Sequence, residues 1–129
     1  MSIRQNSRFV AIVDDDESVR RSLQGLIESE GVCALCFGSA EQFLDSEDRH
    51  NAVCLIADIQ MPGMSGLELQ AKLKAERCRL PIIFITADSD DRMRIHAIRE
   101  GAVEFLTKPF NPAVLLEIVH ATLERFGND

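Results

Sequence analysis

Three consecutive aspartates, Asp14-Asp15-Asp16, follow the first apolar run of this 129-residue chain, and a fourth, Asp58, follows the third. Thr86 closes the fourth run, and Lys108-Pro109 comes directly after the fifth. Carboxylates that share a crevice raise one another's pKa unless a cation sits among them. A hard divalent ion with oxygen ligands and a partly retained water shell answers that need, and magnesium is the first choice. An ionised aspartate beside such an ion is a competent nucleophile. The chain has only three lysines, Lys72, Lys74 and Lys108, so one placed at the end of an apolar run stands out as a countercharge.

These groups act together only if the chain delivers them to one place. The apolar runs 9–13, 32–37, 52–57, 82–86 and 102–107 alternate with segments of helical period, the pattern of a parallel sheet covered on both faces. Val19, Leu23, Leu26 and Ile27 mark a first helix that Gly31 ends. Ser39-Ala40-Glu41-Gln42 and Ser65-Gly66-Leu67-Glu68 have capping-box spacing, opening helices to about Asp45 and about Glu76. The polar stretch from Asp88 to Asp91 begins a fourth helix that Gly101 ends, and Asn111-Pro112 caps a fifth to about Phe126. Runs one, three and four are almost continuously aliphatic and belong at the centre; Glu104 marks run five as an edge. The expected fold is therefore α/β, a flavodoxin-like doubly wound (βα)5 sheet of order 2-1-3-4-5. Right-handed crossovers place every strand's C-terminal end, and so every group named above, on one edge.

With that arrangement the chain resembles a response-regulator receiver domain of the CheY-like family, over about 8–126. Ile12-Val13-Asp14-Asp15-Asp16-Glu17-Ser18-Val19-Arg20 resembles its acidic turn, and Ala57-Asp58-Ile59-Gln60-Met61-Pro62-Gly63-Met64-Ser65-Gly66 its phosphoacceptor loop. Thr86-Ala87 and Lys108-Pro109-Phe110 match the other two landmarks, and the wording is most similar to FixJ-type receivers. The resemblance implies that Asp58 accepts a phosphoryl group from the phosphohistidine of a sensor histidine kinase. It implies magnesium held by Asp15, Asp58 and the Gln60 backbone carbonyl, with Asp14 reaching it mainly through water. Thr86 and Lys108 then bind phosphoryl oxygens, and Phe105 stands in the place of the aromatic switch residue, turning inward as Thr86 moves toward the phosphate. A cis Lys108-Pro109 bond is also expected from the resemblance. Gln60 and Asp88, each two residues beyond a site residue, occupy positions that influence dephosphorylation. The implied output is transcription, through the face formed by the fourth helix, fifth strand and fifth helix, with phosphorylation-dependent homodimerisation through the fourth helix and fifth strand as one route. A stand-alone phosphorelay receiver is the alternative. No enzymatic activity is expected beyond self-phosphorylation and self-dephosphorylation at Asp58.

Composition bounds the rival readings. A net charge of −7 disfavours direct nucleic-acid or anionic-membrane binding. No apolar run has membrane-spanning length, and the segment 1–6 lacks a signal peptide's apolar stretch, so a single domain, 1–129, in the cytoplasm with reduced cysteines is expected. A phosphatase of the haloacid-dehalogenase type needs a second aspartate two residues after its nucleophile, where this chain has Gln60. A flavin mononucleotide binder needs a glycine- and hydroxyl-rich loop after strand one, the opposite of three aspartates. A phosphorylation-independent docking module has no use for the intact acidic and basic set. Cys33 and Cys36 are expected in a strand on opposite faces as buried, inert thiols, with Cys54 structural and Cys78 the more exposed. His50, His96 and His120 share no ligand spacing and are expected to face solvent. Met61 and Met64 are expected to cover the crevice.

Overall fold

Alternation of side chains along each strand divides the apolar residues into two sets, and two layers of helices are needed to cover them. In a computed structural model that describes residues 8–87 and 90–126, the elements are β1 (Phe9–Val13), α1 (Glu17–Glu28), β2 (Ala34–Phe37), α2 (Ala40–Asp45), β3 (Ala52–Ala57), α3 (Gly66–Ala75), β4 (Ile82–Thr86), α4 (Asp91–Arg99), β5 (Glu104–Thr107) and α5 (Pro112–Phe126). The expectations placed on residues 1–6 and on Asp88 lie outside the described residues. The five strands pair in parallel in the order β2-β1-β3-β4-β5, as the sequence predicts.

Phe9, Ala11 and Val13 face one side of the sheet, where Phe43 of α2, Leu69 and Leu73 of α3 and Ala97 of α4 pack. Val10 and Ile12 face the other, against Leu23 and Ile27 of α1 and Leu115 and Val119 of α5. β1, β4 and most of β3 are buried on both faces, which is why those runs carry no polar alternation.

Local signals set most helix starts. Asp16 caps α1 by accepting from the Ser18 and Val19 amides at 2.9 and 3.4 Å. Ser65 and Glu68 form a complete capping box at α3. At α2 the box is displaced: Ser39 Oγ accepts from the Gln42 amide, but the Gln42 side chain accepts from Gly38 N–H instead of Ser39 N–H.

Two boundaries and one added turn differ from the sequence reading. β2 begins at Ala34, not at residue 32, because an edge strand has one partner and its ladder with β1 starts at Val10 opposite Ala34. Cys33 consequently stands outside the strand and is exposed, which corrects its assignment as a buried thiol; Cys36 is half-buried. β5 begins at Glu104, not at 102, because the Ala102 amide donates to Ala97 O and closes the end of α4 over Gly101, whose φ is 111°. A 3-10 turn over Glu47–Asn51, capped by Ser46, fills a stretch to which no element was assigned.

The same closure ends α3, with the Cys78 amide donating to Leu73 O, but the residue in the left-handed position is Arg77, at φ 61°. A non-glycine residue pays about 1–2 kcal/mol there, whereas glycine costs roughly 0.5–1 kcal/mol in chain entropy. Arg77→Gly is therefore predicted to stabilise the fold by up to about 1 kcal/mol in urea unfolding. A midpoint lower than that of the native chain contradicts this account of the turn.

Candidate functional site

β1 and β3 are neighbours in register, Val13 opposite Ala57, so the residues that follow them emerge side by side. The ladder continues one step into the site: the Asp58 amide donates to Val13 O at 3.0 Å, and the Asp14 amide to Phe37 O at 3.2 Å. Both backbones are thereby fixed before their side chains meet anything. Asp14, Asp15 and Asp58 each present an oxygen within 4.8 Å of the others. Asp14 and Asp58 are buried, while Asp15 is exposed.

Lys108 reaches this group from the far side of the sheet. Its amide donates to Thr86 O at 2.7 Å, and its bond to Pro109 is cis, as expected. Lys108 Nζ donates to Asp14 Oδ2 and to Asp58 Oδ2, both at 3.1 Å. The remaining oxygens of the two acids are committed locally: Asp14 Oδ1 accepts from the Asp16 amide at 2.9 Å and Asp58 Oδ1 from the Gln60 amide at 3.1 Å. Thr86 is fully buried at the end of β4.

The two sides of this ion pair respond differently to it. Burial pushes the Asp14 carboxyl above its usual range, and the Asp16 amide and Lys108 offset that only in part. Burial also acts to lower Lys108, but its bonds to Asp14 and Asp58 outweigh that and hold the ammonium above its usual value. Lys108 therefore stays charged at neutral pH.

Phe105, in register with Phe84 of β4, is 6% exposed and packs with the α2-α3-α4 side of the core. The ring expected to turn inward on activation lies inward in this structure. A phenyl ring has no polar tip for water to hold outside, so burial is its natural resting place. Met61 is likewise a core residue, not a cover for the crevice, with Met64 half-buried beside it. Gln60 is exposed. Asp88 lies outside the described residues. His50, His96 and His120 face solvent, and His120 meets Glu30 at 3.0 Å. Cys54 is fully buried and its thiol is pushed up to about 12 by burial, whereas Cys78 is exposed.

Sequence reasoning passed over three supports. Arg20 Nη1 donates to Asp14 O at 2.8 Å, fixing the acidic turn to α1. Glu41 Oε2 accepts from the Met64 amide at 2.9 Å, tying α2 to the loop after Asp58. A Cβ on Gly66 would lie 2.4 Å from Asp58 O, so only glycine lets α3 start this close to the site. Arg20 and Gly66 stand in the motif segments already noticed, and Glu41 within a capping sequence, but their contacts bridge elements and leave no local signature.

A doubly wound parallel sheet with three carboxylates and a lysine at its C-terminal edge defines a class in which the chemistry is done at the strand ends. A family model described as the response regulator receiver domain matches residues 10–120, and the chain belongs to that family, whose members serve two-component signalling. It is 44% identical over 117 residues to Nodulation protein W of Bradyrhizobium diazoefficiens, covering 91% of this chain and 52% of that protein. With the Transcriptional regulatory protein FixJ of Azorhizobium caulinodans it shares 39% over 116 residues, 90% of this chain and 55% of that one. The solved structure of the response regulator StyR superposes with a TM-score of 0.84 at 41% identity, over 94% of this chain and 61% of that one. The chain thus spans about half the length of the curated relatives it matches.

Two expected outcomes follow from the geometry. Gly66→Ala forces α3 and the Asp58 carbonyl apart and should cost about 1–3 kcal/mol in urea unfolding; a native-like midpoint contradicts the close approach. Asp14, with its pKa raised by folding, is penalised when ionised, so it costs stability above the ordinary carboxylate range and nothing once protonated in both states. Asp14→Asn should accordingly melt higher than the native chain at neutral pH without divalent ions, an advantage that shrinks as pH falls through that range. Equal melting points at neutral pH are the contrary result.

Proposed function

We propose that this chain is a phosphorylatable receiver whose acceptor is Asp58. The observation that carries the reading is Lys108 Nζ, 3.1 Å from both Asp14 and Asp58, with Asp15 completing the acidic group. In the transfer an Asp58 oxygen attacks phosphorus in line, the P–O bond forms as the P–N bond to the kinase histidine breaks, and the imidazole leaves with the electron pair and takes a proton. Lys108 moves its hydrogen bond from the carboxylate to an equatorial oxygen, and the Thr86 hydroxyl donates to another.

The donor set fits a divalent cation. All of its ligand atoms are hard oxygens, and the exposed side of Asp15 leaves room for retained water, as magnesium requires. Asp15, Asp58 and the Gln60 carbonyl would hold the ion, with Asp14 at one remove. When bound it supplies the positive charge that one lysine cannot. Gln60 accounts for the difference from a hydrolase: no acid stands two residues beyond the nucleophile, so activity is confined to self-phosphorylation and slow self-dephosphorylation.

A sensor histidine kinase is the partner this chemistry calls for, met by this chain in the cytoplasm; no described helix of the chain is long and apolar enough to cross a membrane. Because a relative named above is a transcriptional regulator of which this chain matches 55%, we assign the output to transcription, carried by a module outside this receiver; a stand-alone phosphorelay receiver is the second reading. The output surface is the α4-β5-α5 face, where Ile95 and Ile98 are exposed between Arg94, Arg99 and Glu104, and dimerisation through α4 and β5 is its simplest use.

Intact-mass measurement after incubation with acetyl phosphate and magnesium tests the reading. The native chain should gain one phosphoryl group, and Asp58→Asn none. A native chain that stays unmodified, or an equal gain by the variant, overturns it.

A further inference from the structure

The loop between Asp58 and α3 is secured at both ends: the Asp58 amide on Val13 O, the Gly66 amide on Ile59 O at 2.8 Å, and the Ser65-Glu68 capping box. Its far turn, where Gly63 has φ 76°, is held from another element. Glu41 Oε2 accepts from the Met64 amide at 2.9 Å, and a Cβ on Gly63 would stand 2.8 Å from the same oxygen, so the glycine admits the carboxylate.

Glu41 is well placed to bear on the loop. It is the second residue of α2, whose start is fixed by Ser39 Oγ on the Gln42 amide and by Gln42 Oε1 on the Gly38 amide. Its neighbour Ala40 and Phe43 one turn on are buried in the core under the sheet. The base of the side chain is therefore rigid although its carboxylate faces solvent. The Met64 bond also holds the Glu41 carboxyl below the usual range, so the charged acceptor is present throughout the neutral region.

We propose that Glu41 is a positioning residue for the phosphoacceptor loop, acting through Met64 and the Gly63 turn to fix where the Gln60 carbonyl and the Asp58 carboxylate point. It touches none of the reacting atoms. Its effect is preorganisation: Gln60 donates its amide to Asp58 Oδ1 at 3.1 Å, so a turn free to shift at 63–64 shifts both an expected ion ligand and the nucleophile's own partner. The proposal rests on the reading of Asp58 as acceptor for its consequence in phosphorylation, but not for its consequence in ion binding.

The test compares the native chain with Glu41→Ala, Glu41→Gln and, as a control on the exposed end of the same helix, Asp45→Ala. Magnesium alone is titrated while amide resonances are followed, and the initial rate of modification by acetyl phosphate is read by intact mass. Glu41→Ala should move the Met64 amide proton upfield and weaken magnesium binding and phosphoryl acceptance by about tenfold each, with Glu41→Gln between it and the native chain. Asp45→Ala should match the native chain in all three. Magnesium affinity within about twofold of native in Glu41→Ala, an unmoved Met64 resonance, or an equal loss in Asp45→Ala overturns the proposal. If the native chain takes no phosphoryl group while Glu41→Ala still loses magnesium and shifts Met64, the acceptor reading fails and the positioning role stands.

Discussion

Everything at the C-terminal edge of this sheet depends on how three carboxylates within 4.8 Å of one another are made tolerable. At an effective dielectric of about 20, each such pair repels by about 3–4 kcal/mol, and each 3.1 Å contact with Lys108 attracts by about 5 kcal/mol. Two attractions are thus roughly cancelled by three repulsions, and two of the acids carry desolvation costs besides. The lysine brings the group to balance and no further. An acidic group in that state could hold a metal ion beside the lysine.

That balance is purchased with backbone geometry. Lys108 comes from β5, Asp58 from β3 and Asp14 from β1, so the contact exists only because β4 lies between β3 and β5 and all strands run the same way. The close approach of α3 at Gly66, the Arg20 bond to Asp14 O and the Glu41 bond to Met64 are later refinements of the same placement. Each ties one of the loops that carry the acids to a helix, and each is made by a residue with no chemistry of its own to perform.

The strand order, the central runs and the convergence of Asp14, Asp15, Asp58, Thr86 and Lys108 on one edge were legible because they follow from patterns local in sequence: continuous aliphatic runs, capping residues and what stands after each run. What was not legible depends on partners far away in the chain. Cys33 looks like strand until one knows that β1 offers its first pairing partner to Ala34. Ala102 looks like strand until its amide is seen closing α4. The orientation of Phe105 is a matter of available space, which no single-residue pattern encodes. Arg20 and Glu41 are ordinary surface charges by type, and only the fold shows that each reaches a backbone atom of the site.

The core is also uneven in a way that bears on signalling. α1 buries Leu23 and Ile27, α5 buries Leu115, Val119 and Thr122, and α3 buries Leu69, Gln70 and Leu73, whereas α4 buries Ala97 alone. The bonds that hold α4 to α3 are polar: buried Gln70 Nε2 donates to Ala97 O at 3.0 Å, and Lys74 pairs with Glu100 at 2.8 Å near the surface. An element with so little apolar anchorage is the least costly to displace. It is packed against β5, and its Ala97 shares a hydrophobic cluster with Phe105. If Asp58 takes a phosphoryl group as proposed, drawing Thr86 and Lys108 toward it would pull on the ends of β4 and β5, and the weakly held helix packed against β5 is where that strain is most readily released.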